Sequence, residues 1–145
     1  MSNISKKFAV ESIGRSGISS SWVNRLKDKE CDDLVMAIPI EFGGVGGTYS
    51  PEDLYALSLM NCYFATFKYI AEKSKLEYDT IKGDAILNVD IGERKTLWME
   101  SILIRIKLLG CTNKDRALMM MEKTKTQCMI INSVSTKVEF DFSVE

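Results

Sequence analysis

A chain of 145 residues with 46% hydrophobic side chains has the length and apolar content for one domain around one core. Its 19 basic and 20 acidic residues leave a net charge of −1, and no Lys/Arg run is dense enough to track a phosphate backbone, which argues against nucleic acid as a partner. The sequence holds no histidine, so Ser-His-Asp and Cys-His machinery and His-ligated zinc are excluded, and chemistry must run on Cys, Arg, Lys, carboxylates and hydroxyls.

The first residues, Met1 to Lys7, carry charge without an apolar run behind it; the expectation is no secretory signal and a cytoplasmic location. From Lys6 to Ile38 the pattern reads as short strands, with Leu34, Met36 and Ile38 alternating against Val35 and Ala37, a turn at Gly14-Arg15-Ser16-Gly17, and a hairpin tip over Arg25 to Asp33. Gly43 to Gly47 reads as a mobile loop ahead of a helix. That loop fails the spacing of a P-loop and of a dinucleotide fingerprint.

Ser50 as N-cap, Pro51 at the first helical position and acidic Glu52 and Asp53 in the first turn predict a helix running to about Lys75. Leu54 to Phe67 is nearly uncharged over 14 residues, too short to span a bilayer, which takes roughly 18–20 apolar residues. A helix apolar almost all round is buried on several sides, and in a chain this small a second subunit is expected to cover part of it. Ala85, Leu87, Val89 and Ile91 then share one face of a strand, Gly92 to Lys95 turns the chain, and Ile102, Ile104, Ile106 and Leu108 share a face of its antiparallel partner. Thr112, with Asp115 three residues on, predicts a second helix with Leu118, Met119, Met121 and Met120 as its apolar positions. Val138, Phe140, Phe142 and Val144 alternate with polar residues in a half-buried terminal strand. This order of elements predicts an α+β fold, mainly antiparallel, in a single domain over residues 1–145.

Four cysteines, 31, 62, 111 and 128, without a signal peptide read as thiols or a transient redox pair rather than a disulfide framework. Cys62 taken alone reads as an inert core thiol, since free cysteine is among the most buried residue types. In mid-helix it lacks the dipole that lowers a thiol pKa at a helix N-terminus, so a reactive Cys62 requires a cation from elsewhere. Arg15 and Arg25 are the N-terminal candidates; nothing local singles out Arg94, Arg105 or Arg116. The methionines at 119, 120, 121 and 129 serve either as core filler or as the lining of an apolar pocket.

The stretch from Ile38 to Cys62 resembles the signature of the OsmC/Ohr family of thiol-dependent hydroperoxide reductases. It carries the Gly-Gly-x-Gly loop (Gly43-Gly44-Val45-Gly46), then Ser50-Pro51-Glu52-Asp53-Leu54, then a cysteine ten residues after Glu52. Cys128-Met129-Ile130-Ile131-Asn132-Ser133 is similar to the segment around that family's second cysteine, and Gly14-Arg15-Ser16-Gly17 matches its Gly-Arg-x-Gly turn. The resemblance covers nearly the whole chain. It implies the OsmC-like fold, an intertwined homodimer, a Cys62 thiolate that attacks the peroxide, a Cys128 that captures the sulfenic acid as a disulfide, and Arg15, held by Glu52, beside the thiolate. It also implies an organic hydroperoxide substrate, an external dithiol reductant such as a lipoyl group, and no metal, flavin or haem cofactor. Met129 stands where the family pattern has proline; without proline the helix is free to continue through Cys128, which would hinder closure of the disulfide. Cys31 and Cys111 match nothing in the pattern and read as structural.

Ten helical residues rise about 15 Å, so Glu52 and Cys62 of one helix cannot share an arginine. Two copies packed antiparallel about a two-fold near Leu57 would bring Glu52 of one subunit opposite Cys62 of the other, which predicts composite sites in a homodimer. The alternative reading is a non-catalytic dimer of the same fold that binds an apolar small molecule in its interface pocket.

Overall fold

The computed structural model describes residues 5–145; residues 1–4, where the reading of the N-terminus begins, lie outside them. Contacts divide the chain into two compact units, one up to Leu54 and one from Tyr55 to Glu145.

The first unit is an antiparallel meander of β1 (Val10–Gly14), β2 (Trp22–Leu26) and β3 (Leu34–Met36), with Val10 opposite Leu26 and Trp22 opposite Met36. The expected strands and tip are in place, and Arg25 closes the tip on Asp33 at 3.0 Å. The glycine run, expected to be mobile, is instead hydrogen-bonded back onto the preceding segment. Gly44 N–H donates to Pro39 O and Gly46 N–H to Ile38 O, at 3.0 and 3.1 Å. A Cβ at Gly44 would stand 2.0 Å from the Ile38 carbonyl oxygen, so this fold-back requires glycine there.

Helix α1 (Pro51–Lys73) starts in that unit and continues into the second. Its cap is reciprocal: the Ser50 hydroxyl accepts from Asp53 N–H at 3.1 Å while the Asp53 carboxylate accepts from Ser50 N–H at 2.9 Å. It ends two residues before the expected Lys75, which turns left-handed (φ 56°) as Leu76 N–H bonds back to Ala71 O. Leu59, Tyr63, Phe67 and Ala71 recur every fourth position and are buried, one stripe of a helix whose other apolar positions stay half-exposed in a single chain.

In the second unit β4 (Thr80–Asp90) and β5 (Trp98–Leu109) form the expected hairpin, with Leu87 opposite Ile102 and Ala85 opposite Ile104. Gly83, opposite Ile106, leaves room for α1: a Cβ there would lie 2.7 Å from the Phe64 ring and 3.1 Å from the Met60 sulfur. Then come α2 (Lys114–Thr124), a 3-10 turn (Lys125–Gln127), α3 (Met129–Asn132) and β6 (Lys137–Val144).

Three details differ from the sequence reading. The cap of α2 is Asn113, whose side chain accepts from Arg116 N–H, one residue after Thr112. Its buried positions are Ala117, Met120, Met121 and Thr124, whereas Leu118 and Met119 face outward, because the stripe is phased on Ala117. Finally, β6 pairs with β5 in parallel, Ile104 opposite Phe140; the helical segment between them carries the chain back to the starting end of β5, as a parallel crossover requires. The other three ladders are antiparallel. The core of this unit packs the α1 stripe on Ile102, Ile104, Ile106 and Leu108, with Ala117, Met120, Met121 and Cys128 closing it.

Candidate active site

Cys62 lies half-buried in the middle of α1 with its thiol free. Its sulfur is not left to the side chains alone, because the backbone N–H of Ile130 donates to Cys62 Sγ at 3.3 Å. This contact brings the segment after Cys128 directly onto the α1 cysteine.

Cys128 is fully buried, and its thiol donates to Thr124 O at 3.3 Å. Burial pushes the Cys128 thiol up to about 11; a hydrogen bond from Thr66 opposes this, while the charge of the neighbouring Cys62 and a hydrogen bond with it add to it. Cys128 thus stays protonated beside Cys62 at neutral pH. Thr66, one turn after Cys62, also donates to the Cys62 carbonyl at 2.8 Å. Tyr63, between the two elements, is buried and donates to Met121 O at 2.8 Å, which ties α1 to α2 next to the pair.

The helix does not continue through Cys128, although no proline follows it. Cys128 is extended (φ −84°, ψ 106°) and serves as the N-cap of α3. Hydrogen bonds supply what proline would: Thr124 turns its hydroxyl onto Met120 O at 2.7 Å, Cys128 occupies Thr124 O, and Asn132 Nδ2 reaches back to Thr126 O at 3.0 Å.

Arg15 and Glu52 lie in the first unit. Arg15 is exposed in the β1–β2 turn, which Ser20 Oγ closes by donating to Gly17 O at 3.0 Å. Arg25 is engaged with Asp33, whose hydrogen bond and charge raise the guanidinium pKa. Among the described residues no ion pair joins Arg15 to Glu52, and Glu52 Oε1 is buried without a hydrogen-bond partner. A buried carboxylate oxygen left unpaired is costly. Of the remaining arginines, Arg94 stacks on Trp98 at 3.9 Å and Arg116 donates to Ser74 O.

The structure therefore brings Cys62 and Cys128 together and leaves Arg15 and Glu52 without each other. Cys111 is buried, as a structural thiol should be, but Cys31 is exposed in the β2–β3 connection and packs no core. Among the described residues no group of three or more His, Cys, Asp or Glu is arranged to hold a metal. Sequence reasoning missed Thr66, although its place four residues after Cys62 puts it on the same helix face. It held Asn132 only as part of the Cys128 segment, without a role, and it missed the Ile130 N–H, which a side-chain search cannot find.

The family model for OsmC-like proteins matches residues 44–143, a span that holds Glu52, Cys62 and Cys128. The chain belongs to the OsmC-like protein family. Among curated proteins it is similar to an uncharacterised protein of Acinetobacter baylyi, 26% identical over 133 residues, covering 90% of this chain and 86% of that one. Among solved structures it resembles an OsmC-like protein of unknown function from Vibrio cholerae (TM-score 0.81, 13% identity, 95% of this chain and 99% of that one). It also resembles an organic hydroperoxide resistance protein from Legionella pneumophila (TM-score 0.68, 19% identity, 97% and 99% covered). A third such structure is the organic hydroperoxide resistance protein of Bacillus subtilis (TM-score 0.62, 16% identity, 95% and 98% covered). At these identities the structural likenesses establish the OsmC-like α+β fold.

Proposed function

We propose that this protein is a thiol-dependent peroxidase that reduces organic hydroperoxides to alcohols. The observation that carries the reading is the meeting of Cys62, held by the Ile130 N–H, with a buried and protonated Cys128. The Cys62 thiolate attacks the distal peroxide oxygen, the O–O bond breaks, and the alkoxide leaves to take up a proton as alcohol, with Cys62 oxidised to a sulfenic acid. Cys128 then attacks that sulfur, its proton joins the departing hydroxide as water, and the Cys62–Cys128 disulfide forms. An external dithiol, such as a lipoyl group on a partner protein, reduces the disulfide and is itself oxidised. No metal, flavin or haem enters these steps.

Arg15 supplies the cation beside the Cys62 thiolate and Glu52 orients it, across the interface of a homodimer in which the whole chain acts as one OsmC-like domain. The partnerless Glu52 Oε1 supports this, since a guanidinium from a second copy would satisfy it. A cytoplasmic setting suits a pair of free thiols, and among the described residues no helix is long and apolar enough to cross a membrane. The names of the Legionella and Bacillus proteins point to the same substrate class.

One observation favours the alternative, a dimer that binds an apolar molecule without reacting: Arg15 is exposed and joins no ion pair among the described residues. Mixing the reduced protein with cumene hydroperoxide, then mapping its thiols by mass, separates the two. Rapid consumption with a Cys62–Cys128 link supports the peroxidase; no consumption with both thiols free rejects it in favour of the binding dimer.

A further inference from the structure

The turn that carries Cys128 is unusual in how it is held. A proline at 129 would fix φ and push the preceding residue out of the helical region, enforcing the break at Cys128 covalently. Met129 offers neither constraint, and it is 73% exposed, so packing does not hold the turn through it either. Yet Cys128 sits at φ −84° and ψ 106°, a conformation that a residue before proline would adopt.

Asn132 spans this break from both ends. Its backbone N–H donates to Cys128 O at 2.8 Å, and its side-chain Nδ2 donates to Thr126 O at 3.0 Å. Because the acceptor is a carbonyl, the atom facing it must be the amide nitrogen. The side chain is exposed, so it contributes through this hydrogen bond and not through burial. The turn it closes is the one that aims the Ile130 N–H at Cys62 Sγ at 3.3 Å and keeps the Cys128 thiol on Thr124 O, within reach of Cys62.

We propose that Asn132 is a positioning residue for the thiol pair: its side-chain amide, bonded to Thr126 O, holds the break at Cys128 that proline does not supply here, and so keeps Cys128 poised to close onto Cys62. The inference rests on reading Cys62 and Cys128 as an exchanging pair, and it extends that reading to a residue that touches neither sulfur through its side chain. Without the amide, the 125–132 segment relaxes toward continuous helix, the Ile130 N–H turns away from Cys62, and Cys128 loses its alignment.

The test uses no peroxide. The full-length protein is equilibrated with graded mixtures of oxidised and reduced glutathione, in which two protein thiols are oxidised to one disulfide as one oxidised glutathione becomes two reduced ones. The Cys62–Cys128 link is then counted by mass after an acid quench. Asn132→Ala, and the isosteric Asn132→Asp, which replaces the donor with an oxygen, are each expected to need a glutathione ratio about tenfold more oxidising than wild type, the worth of one hydrogen bond. The double variant Asn132→Ala/Met129→Pro should return to within about twofold of the wild-type ratio, because proline restores the break by another route; a loss of general stability would not be reversed in this way. An unchanged midpoint in both single variants overturns the proposal, as does a shift that proline fails to reverse, or a wild-type protein that forms no such link. A protein that closes the link on glutathione and ignores cumene hydroperoxide would refute the peroxidase reading while leaving the role of Asn132 standing.

Discussion

The two units of this chain bury their apolar residues to different degrees. In the second, β6 alternates exposed and half-buried positions along its whole length, and the inward residues of β5 from Ile102 to Leu108 are at most 1% exposed. In the first, β1 is exposed at all five positions, and Val10, Ile13, Ile18 and Ile40 are each at least 60% exposed. Apolar surface on that scale in one region is the usual mark of an interaction face. The chemistry divides along the same line. Both thiols belong to the unit with the closed core, whereas Arg15 and Glu52 belong to the unit whose surface is unfinished. On the proposed peroxidase reading, the thiol pair comes from one unit and the arginine and glutamate from the other, and the exposed apolar residues of the first unit are where a second copy would be tested for.

The comparison is broken most directly by removing one group from each unit. Cys62→Ser should lower the rate of cumene hydroperoxide consumption by a factor on the order of 10⁴ or more, as loss of a nucleophile does. Retention of full activity would end the mechanism. Arg15→Ala should cost about 10²–10³ in the same stopped-flow assay, the range for losing a preorganised donor to developing charge, and Arg25→Ala should stay within a few-fold because Arg25 is already spent on Asp33. The reverse ranking would move the assignment to Arg25. If the protein consumes cumene hydroperoxide under conditions where it sediments as a monomer, the exposed apolar surface of the first unit is not a subunit interface for catalysis.

A smaller effect sharpens the description of the closed core. At Gly83 the α1 side chains of Phe64 and Met60 fill the space where a side chain would stand. Gly83→Val should therefore lower the unfolding free energy by about 1–3 kcal/mol, the usual cost of overpacking, read as a lower urea midpoint with an unchanged slope. A wild-type midpoint would mean that α1 is not seated on β4 as described.

How much of this was legible in the sequence varies with how local the cause is. The alternation of Ile102, Ile104, Ile106 and Leu108 reports burial on one face of a strand, and Ser50-Pro51 reports a helix start; both are set by neighbours a few residues away and both are found in the fold. The direction of β6 was not legible, because its alternating pattern is the same whether it runs parallel or antiparallel to β5. The phase of α2 was misread because three successive methionines fit several stripes, and only packing selects Met120 and Met121. At the site, the spacing of Glu52, Cys62 and Cys128 carried the resemblance. Asn132 bonds across the break at Cys128 to Thr126 O, a contact set by the turn and not by spacing in the sequence, and the donor to Cys62 belongs to the backbone.

A last effect concerns Cys128 and can be read without any activity. Burial raises the Cys128 thiol from an ordinary 9.0 to about 11, so in alkaline solution the unfolded chain gives up this proton before the folded one does. The folded state then binds more protons than the unfolded state, and stability must fall as pH rises. The contribution is whole below about pH 9, is lost progressively from there to about pH 11, and has no counterpart on the acid side. Urea unfolding across this range should accordingly show a shallower alkaline loss in Cys128→Ala than in the wild type, once Cys128→Ala is referenced to its own stability at pH 7. Tyr63, whose phenol is raised by burial and further by the charge of Cys128, adds a loss that begins only above about pH 10, so the difference between the two proteins reports the thiol between about pH 9 and 10. Equal slopes between about pH 9 and 10 would mean that Cys128 is open to water in the folded protein, and that the contrast between a buried Cys128 and a half-buried Cys62 does not hold.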